Sequence, residues 1–357
     1  MRIIKHFALC LMIALTTNAL AGNKDRVGQA GGNQLLINPW GNSTGLANSN
    51  MASINGIEST FLNVAGLNFI NKTEVVFVRS SYLTGSDISL NAFGLAQKIG
   101  ETTTLGLTVM SMGFGDIAIT TVDLPEGGIG TFSPSVMNLG LSLAKEFSNS
   151  IYGGFSIKVL SESIADAGAS GVAIDMGIRY VTGEQDNLKF GISLKNVGPK
   201  MQFSGDGFAT KVELNDDEIT LEQRTEGFEL PALLSIGVAY DYYLMATTDS
   251  ATGEISSDHK ITAAGTFLSN SFGKDQIKVG VEYGFKEMFI VRAGYTYEEG
   301  LNNNDVQDLT NAFSGPSAGF SIVVPFGSSG TKIGLDYSYR ATKTFSGTHS
   351  LGLRINI

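Results

Sequence analysis

Large apolar residues occupy every second position over most of the chain after its N-terminal part. Between residues 172 and 180, Val, Ile, Met, Ile and Tyr alternate with Ala, Asp, Gly and Arg, and similar runs lie at 188–195, 277–285, 333–340 and 349–357. A period of two is typical of β-strands, and a soluble sandwich would share it. Because the second face carries mainly Gly, Ser, Thr, Lys, Asp and Arg, we expect a barrel with lipid outside and a polar lumen.

The alternation predicts an all-β fold, a transmembrane antiparallel β-barrel of about 14 strands. An even number is usual for bacterial single-chain barrels, and most strands approach the roughly 9–11 residues that a tilted membrane strand needs. The predicted strands are 74–82, 88–97, 103–114, 133–146, 151–161, 169–181, 188–196, 233–244, 260–268, 276–285, 288–298, 317–324, 331–340 and 348–357. The barrel is therefore expected to occupy residues 73–357.

The connections between the predicted strands differ in length between the two ends of the sheet. If both chain ends are periplasmic, the long connections 115–132, 197–232 and 299–316 all lie outside the cell. Long external loops and short periplasmic turns are typical of outer-membrane barrels. The connection 245–259 is long but periplasmic, so it is an exception or the strand count has slipped by one nearby. We also expect that deleting much of 199–229 would leave the barrel folded.

Residues 1–21 have the composition of a secretory signal peptide. Arg2 and Lys5 precede a short apolar run, and Ala19 and Ala21 form an Ala-x-Ala cleavage site, so the mature chain is expected to begin at Gly22. The single cysteine would leave with the signal, so the mature chain would have no disulfide. Export and the strand pattern together predict a location in the cell outer membrane, in contact with lipid and lipopolysaccharide.

The segment 22–72 is rich in Asn, Gly and Ser and shows no sustained alternation. It is too long for a simple tail. We expect it to fold into the lumen or over the periplasmic mouth, and the alternative is a partly ordered periplasmic extension.

The inward positions of the predicted strands carry charged residues. A lumen polar network is predicted from six of them: Asp175, Arg179, Glu282, Arg292, Asp336 and Arg340. Asp175 and Arg179 share a face of one strand, and Glu282 and Arg292 lie at about diagonal spacing in one hairpin. These residues could form an ion-pair network that fills the lumen or a polar path through it. A small polar residue in place of the inward Gly177 or Ser193 is expected to cost much less than an arginine in place of the outward Ile178, Ile192 or Val279.

The sequence contains no pattern that indicates catalysis, a metal or a cofactor. Of the three histidines, His6 lies in the signal, His259 in a predicted turn, and His349 on the outward face. The acidic connection 197–232 lacks the spaced Asp-x-Asp-x-Asp-Gly pattern of a calcium loop. The glycines at 28–32 have no preceding strand and do not form a phosphate-binding loop. A formal net charge of −10 argues against binding nucleic acid.

Several stretches resemble the PorV/PorQ family of Bacteroidetes outer-membrane proteins, which belongs to the wider group of FadL-like barrels. Asn63, Ala65, Gly66 and Leu67 match the family's Asn-Pro-Ala-Gly-Leu motif, with Val64 in place of the proline. The family's Asn-hydrophobic-Gly-Pro turn is matched in order by Asn196, Val197, Gly198 and Pro199. Leu230-Pro231, the strand around Gly237 and the C-terminal strands follow as in that family.

The resemblance implies a FadL-like barrel of fourteen strands and one of two roles. PorV-like proteins are components of the type IX secretion system. They contact the translocon barrel and receive cargo proteins with a C-terminal sorting domain, so both are the expected partners. FadL proteins instead pass hydrophobic small molecules through the barrel wall. The residues do not separate PorV from PorQ, and the two roles remain open at this point.

Overall fold

The computed structural model describes residues 22–214, 217–248, 255–301, 309–327, 330–343 and 345–357, so the predicted signal peptide lies outside the described residues. Fourteen long strands form one closed antiparallel barrel. The strands are β1 (Thr73–Tyr82), β2 (Ile88–Lys98), β3 (Thr103–Gly113), β4 (Ser135–Ser148), β5 (Ile151–Ile164), β6 (Ala167–Thr182), β7 (Leu188–Val197), β8 (Leu233–Leu244), β9 (His259–Asn270), β10 (Gln276–Phe285), β11 (Phe289–Glu298), β12 (Gly315–Pro325), β13 (Lys332–Arg340) and β14 (Thr348–Asn356).

Each strand pairs with its neighbours in sequence, and β1 closes the ring by pairing with β14 from Glu74↔Asn356 to Ser81↔His349. Closure leaves no free sheet edge, which is the condition for a sheet to cross a membrane. The predicted fold class and strand number are therefore confirmed. All predicted strand ends lie within three residues of the observed ones.

The two ends of the barrel differ. We call the end where β1 finishes the loop end, and the end where β1 begins the turn end. Two short hairpins lie at the loop end, Ile117–Ala118 with Thr131–Phe132 and Ala209–Leu214 with Asp217–Glu222. At the turn end, Thr247–Thr248 pairs with Ile255–Ser256 inside the connection 245–258. The long turn-end connection is thus a real exception, and the strand count did not slip.

The two faces of the wall have the predicted orientation. Ile178, Ile192 and Val279 point outward, and their exposed fractions are 59%, 55% and 50%. Small and polar side chains at the alternating positions are buried inside. Apolar side chains that stay exposed in such a continuous band need lipid around them, so the barrel is a membrane barrel.

The segment after residue 32 runs through the lumen. We call residues 33–70 the plug. It contains two short α-helices, α1 (Gly41–Gly45) and α2 (Ser59–Leu62), and two 3₁₀ turns, Asn33–Leu36 and Val64–Asn68. A further 3₁₀ turn, Lys24–Arg26, precedes it and another, Asp206–Phe208, lies at the loop end. None of the described helices is both long and apolar enough to cross a bilayer.

Buried apolar side chains join the plug to the inner wall. Trp40, Ile57 and Leu67 pack against Val76 and Val78 of β1. Burial of this kind is the main favourable contribution to docking a segment that has little regular secondary structure. Residues 33–70 therefore lie in the lumen, as predicted for the segment 22–72. Residues 22–32 instead lie at the loop end, where Asn23 N donates to the Asn270 carbonyl.

Glycines on the inner wall let the plug backbone come close. A Cβ on Gly294 would lie 2.3 Å from the carbonyl carbon of Leu46, and one on Gly154 would lie 2.8 Å from that of Val64. A Cβ on Gly177 would lie 2.1 Å from Asn63 Oδ1. The expectation that a small polar residue is tolerated at Gly177 was therefore wrong, because the space inside that strand is already filled.

Candidate functional site

A cavity of about 500 Å³ lies between the plug and the wall at the loop end. We call it the loop-end chamber. Its lining combines apolar and polar side chains: Met51, Leu62, Leu233 and Leu268 are apolar, and polar residues such as Thr266, Gln276 and Lys278 lie among them. Four aromatic side chains also face it: Phe61, Tyr82, Phe272 and Phe313. A concave, mostly apolar cavity with a few polar groups is the usual form of a small-molecule site.

Residues 310–313, which follow β11, fold back over this chamber. Glu298 holds them in place, because its Oε1 accepts hydrogen bonds from Thr310 N at 2.6 Å and Thr310 Oγ1 at 2.8 Å. Its other oxygen accepts a bond from Gln276 Nε2 at 2.8 Å. Phe313 then meets the ring of Tyr82 edge-on, with centroids 5.5 Å apart. The chamber therefore has a cover built from its own chain.

The regular wall is interrupted beside the chamber. Strand β7 ends at Val197, which pairs with Ile174 of β6, and only Phe203–Ser204 pairs with β6 further along. Residues 170–173 of β6 thus have no strand partner on this side, although 198–202 belong to the described chain. Irregular backbone at membrane depth occurs where it is covered by protein or lines a cavity. We call this place the wall break.

The motif position Asn196 fixes the end of β7 at the wall break. Its backbone has a positive φ of 61°. Its N–H donates to Asp175 Oδ1 at 2.8 Å, and its side chain donates to the Pro231 carbonyl at 3.0 Å. Lys158 Nζ donates to Asn196 Oδ1 at 2.8 Å. These bonds satisfy the polar groups that the end of the strand leaves unpaired.

The other turn residues have distinct environments. A Cβ on Gly198 would lie 2.1 Å from the Val172 carbonyl oxygen, so this position requires glycine. Pro199 is exposed. Met201 and Leu230, on either side of the loop-end hairpin, are buried against Leu35 of the plug. The two ends of 199–229 thus form part of the packed mouth. The prediction that much of 199–229 can be deleted with the barrel still folded therefore applies to the residues between these ends.

The motif positions in the plug join it to the wall. Asn63 Oδ1 accepts a hydrogen bond from Ala65 N at 3.2 Å, and its Nδ2 donates to the Ile178 carbonyl at 3.0 Å. A Cβ on Gly66 would lie 2.2 Å from the Ile54 carbonyl oxygen. Leu67 is fully buried. The motif therefore caps one 3₁₀ turn and binds it to β6.

The six predicted lumen charges form several separate groups. Glu282 and Arg292 face each other directly across β10 and β11, with Arg292 Nε 2.5 Å from Glu282 Oε2. The predicted diagonal spacing was therefore wrong. Asp175 pairs with Lys158 at 2.6 Å and not with Arg179. The remaining three contact other partners: Arg179 donates to Ile54 O at 3.0 Å and Asn55 Oδ1 at 2.7 Å, Asp336 pairs with Arg354 at 2.8 Å, and Arg340 donates to Asn38 O at 3.3 Å.

A second cavity, of about 190 Å³, lies toward the turn end and is lined by paired charges. Arg354 Nη2 lies 2.6 Å from Glu58 of the plug and 2.8 Å from Asp336, and its Nε lies 3.7 Å from Glu74. Three buried carboxyls thus share one guanidinium. Burial raises the pKa of the Glu58 carboxyl to about 7, against the lowering effect of Arg354.

Two lysines of the loop-end chamber, Lys195 and Lys278, were missing from the predicted network. Both occupy inward positions of their strands, Lys195 on β7 and Lys278 on β10. The alternation of each strand would have placed them inside. What the alternation does not give is their partners, since these depend on the plug and on the register of neighbouring strands.

Comparison with known proteins supports the fold. No protein-family model and no curated protein sequence matches the chain. Among solved structures, the Pseudomonas putida toluene transporter TodX matches with a TM-score of 0.53 and 13% identity, over 89% of this chain and 97% of that one. The CymD monoaromatic hydrocarbon channel matches with a TM-score of 0.52 and 14% identity, over 94% and 97%. At these identities the likeness is one of fold, and the fold is FadL-like.

Proposed function

We propose that this chain is an outer-membrane channel for hydrophobic small molecules, with the loop end outside the cell. The observation that carries the proposal is the loop-end chamber, a cavity with aromatic and aliphatic side chains in its lining, whose residues Lys195 and Pro231 lie close in sequence to the wall break. TodX and CymD, which share the fold, are described as transporting or conducting aromatic hydrocarbons. Taken together, the chamber and the fold support a channel through which small apolar solutes pass.

The plug blocks a straight path down the barrel axis. Plug residues 41–58 cross the lumen and pack on glycines of opposite walls, among them Gly94 and Gly294. An apolar solute that passed through the charged cavity beyond the plug would displace water from the ionic groups there, and this loss of hydration is costly. In the structure, Gly198 and Met201 pack directly against residues 171–172 and close the wall break. We therefore infer a sideways route from the chamber that requires these residues to move.

Filling the chamber should stop transport. Ser235 points inward into the chamber, whereas its neighbour Leu234 points outward. Ser235→Trp should lower toluene uptake by cells that carry the barrel in their lipopolysaccharide-coated outer membrane by about tenfold, because the indole occupies the cavity that the solute needs. Leu234→Trp is the matched control and should leave uptake within about twofold of wild type, since an outward Trp meets lipid. Equal uptake through both variants would reject the chamber as the route.

The type IX role remains a second candidate. The observation that favours it is the hairpin Ala209–Leu214 with Asp217–Glu222, which projects from the mouth and buries none of its described residues 217–222. Ile219 and Leu221 are exposed on it. An exposed hairpin with apolar side chains offers a surface to a protein partner, such as a translocon barrel or a secreted cargo protein.

The hairpin can be removed without disturbing the mouth. Gln223 N donates to the Phe208 carbonyl at 2.9 Å, so deletion of 209–222 brings together two residues that already touch. If the second candidate is right, this deletion should abolish co-purification of partner proteins from outer membranes while toluene uptake continues. Unchanged partner recovery after the deletion would remove the secretion candidate.

A further inference from the structure

We propose that the loop-end chamber binds a compact aromatic oxyanion, such as an arylcarboxylate, and that its buried lysines select the charged head. This inference rests on the proposed channel function and specifies its substrate class. It departs from the neutral hydrocarbons named for TodX and CymD, because a neutral hydrocarbon has no group that would pair with a cation.

Lys278 is the central observation. Its exposed fraction is 7%, and it lines the chamber. It makes no hydrogen bond or ion pair within the described part of the chain. The carboxylate of Glu298, on the neighbouring strand, is taken up by Thr310 and Gln276. The side chain is nearly buried and lines the chamber, so an anion bound in the chamber could pair with its ammonium away from bulk water.

Two further cations at this end lack a carboxylate within ion-pair distance among the described residues. Lys195 Nζ donates to the Phe61 carbonyl at 2.6 Å and lies 4.2 Å from the centre of the Phe61 ring. Arg340 donates to the Asn38 carbonyl and lies 4.1 Å above the ring of Phe313. Arg340 and Lys278 line a small cavity of about 30 Å³ beside the chamber.

The turn end shows the opposite arrangement. Lys189 and Lys260 both contact Asp241, Arg292 contacts Glu282, and Arg354 contacts three carboxyls. The described lining of the loop-end chamber contains no Asp or Glu. The lysines near the turn end therefore have ion-pair partners, whereas Lys195, Lys278 and Arg340 have none among the described residues, although the Glu298 carboxylate lies on the strand next to Lys278. An anionic head group in the chamber would supply Lys278 with such a partner.

The aromatic side chains indicate the rest of the ligand. Phe61, Tyr82, Phe272 and Phe313 surround the chamber, and aromatic rings pair favourably with other rings in offset or edge-to-face geometry. Lys195 lies over the ring of Phe61, and Arg340 lies over the ring of Phe313. A flat body that ends in an oxyanion would place its ring among these side chains and its charge at Lys278. A cavity of about 500 Å³ holds such a molecule with room to move.

Three probes with the same number of carbons test the inference: para-ethylbenzoate, para-ethyltoluene and nonanoate. Binding is measured by equilibrium dialysis against the full barrel in nanodiscs of zwitterionic lipid, with empty nanodiscs subtracted. Wild type should bind para-ethylbenzoate most tightly. Lys278→Met should weaken that binding by about tenfold or more, since a charge-assisted hydrogen bond is lost, and should change para-ethyltoluene by less than about twofold. Lys278→Arg should retain most of the affinity.

Lys260→Met is the matched control, because Lys260 is an inward lysine whose partner Asp241 keeps Lys189. It should leave all three probes unchanged. Equal loss of acid and hydrocarbon in Lys278→Met would overturn the charge selection, and nonanoate binding as tight as para-ethylbenzoate would overturn the aromatic selection. If the barrel raises para-ethyltoluene uptake by cells with a lipopolysaccharide-coated outer membrane while the acid does not bind, this inference fails and the channel stands. If the barrel raises uptake of neither compound above that of cells without it, the channel proposal itself fails.

Discussion

Replacement of Arg354 by methionine should destabilise the barrel by about 3–5 kcal/mol, the usual cost of removing one partner from a buried ion pair. Arg354 lies between three buried carboxyls, Glu58 of the plug, Glu74 of β1 and Asp336 of β13. Without it, these groups repel one another in a site with little water. The substitution should therefore release the plug first, since Glu58 is the only one of the three that the plug contributes.

The single tryptophan, Trp40, makes this release measurable. Trp40 is buried between the plug and β1, so its emission should shift to longer wavelength when the plug leaves. Urea titration in lipid vesicles gives the free energy of unfolding of each variant. The control is Arg79→Met, because Arg79 is exposed at an outward position of β1. Acid should narrow the difference between Arg354→Met and wild type, because protonated carboxyls no longer need the cation. A pH-independent difference would contradict the electrostatic cause.

The strands were predictable because the membrane imposes one rule on all of them. Outward residues such as Ile178 and Val279 must be apolar, while inward ones are small or polar, and the alternation follows directly. The rule weakens beyond the bilayer. Strand β5 continues three residues past its predicted end to Ile164, through Glu162 and Ser163, because backbone pairing continues where the side chains no longer meet lipid.

The sequence indicated which residues form the plug, but it did not predict the plug's conformation or contacts. Residues 33–70 have no period, and their position depends on contacts with distant strands. Asn63 holds the Ile178 carbonyl, 115 positions away in sequence. Arg340 reaches the Asn38 carbonyl, 302 positions away. Contacts at such separations leave no local pattern, so nothing in the sequence near Asn63 or Asn38 indicates them.

The candidate site was predictable only in part for the same reason. The inward side of each strand followed from alternation, which gave Glu282 and Arg292 on neighbouring strands. Their partners required the register, and the register gave a direct pair in place of a diagonal one. The absence of a partner for Lys278 depends on the plug, on Glu298 and on the cover residues together. The cavity forms only where the plug, the wall and the cover residues meet, so the alternation of a single strand cannot predict it.

The glycines of the inner wall provide the last test. Gly294 on β11 and Gly334 on β13 both point inward, but a Cβ on Gly294 would lie 2.3 Å from the Leu46 backbone, whereas one on Gly334 would be 3.5 Å from its nearest neighbour. Gly294→Ala should therefore cost about 3 kcal/mol, since the plug backbone must move away, and Gly334→Ala should cost less than about 0.5 kcal/mol. Trp40 emission and urea titration measure both variants. If Gly294→Ala keeps wild-type stability and wild-type Trp40 emission, the plug does not rest against β11 in the membrane.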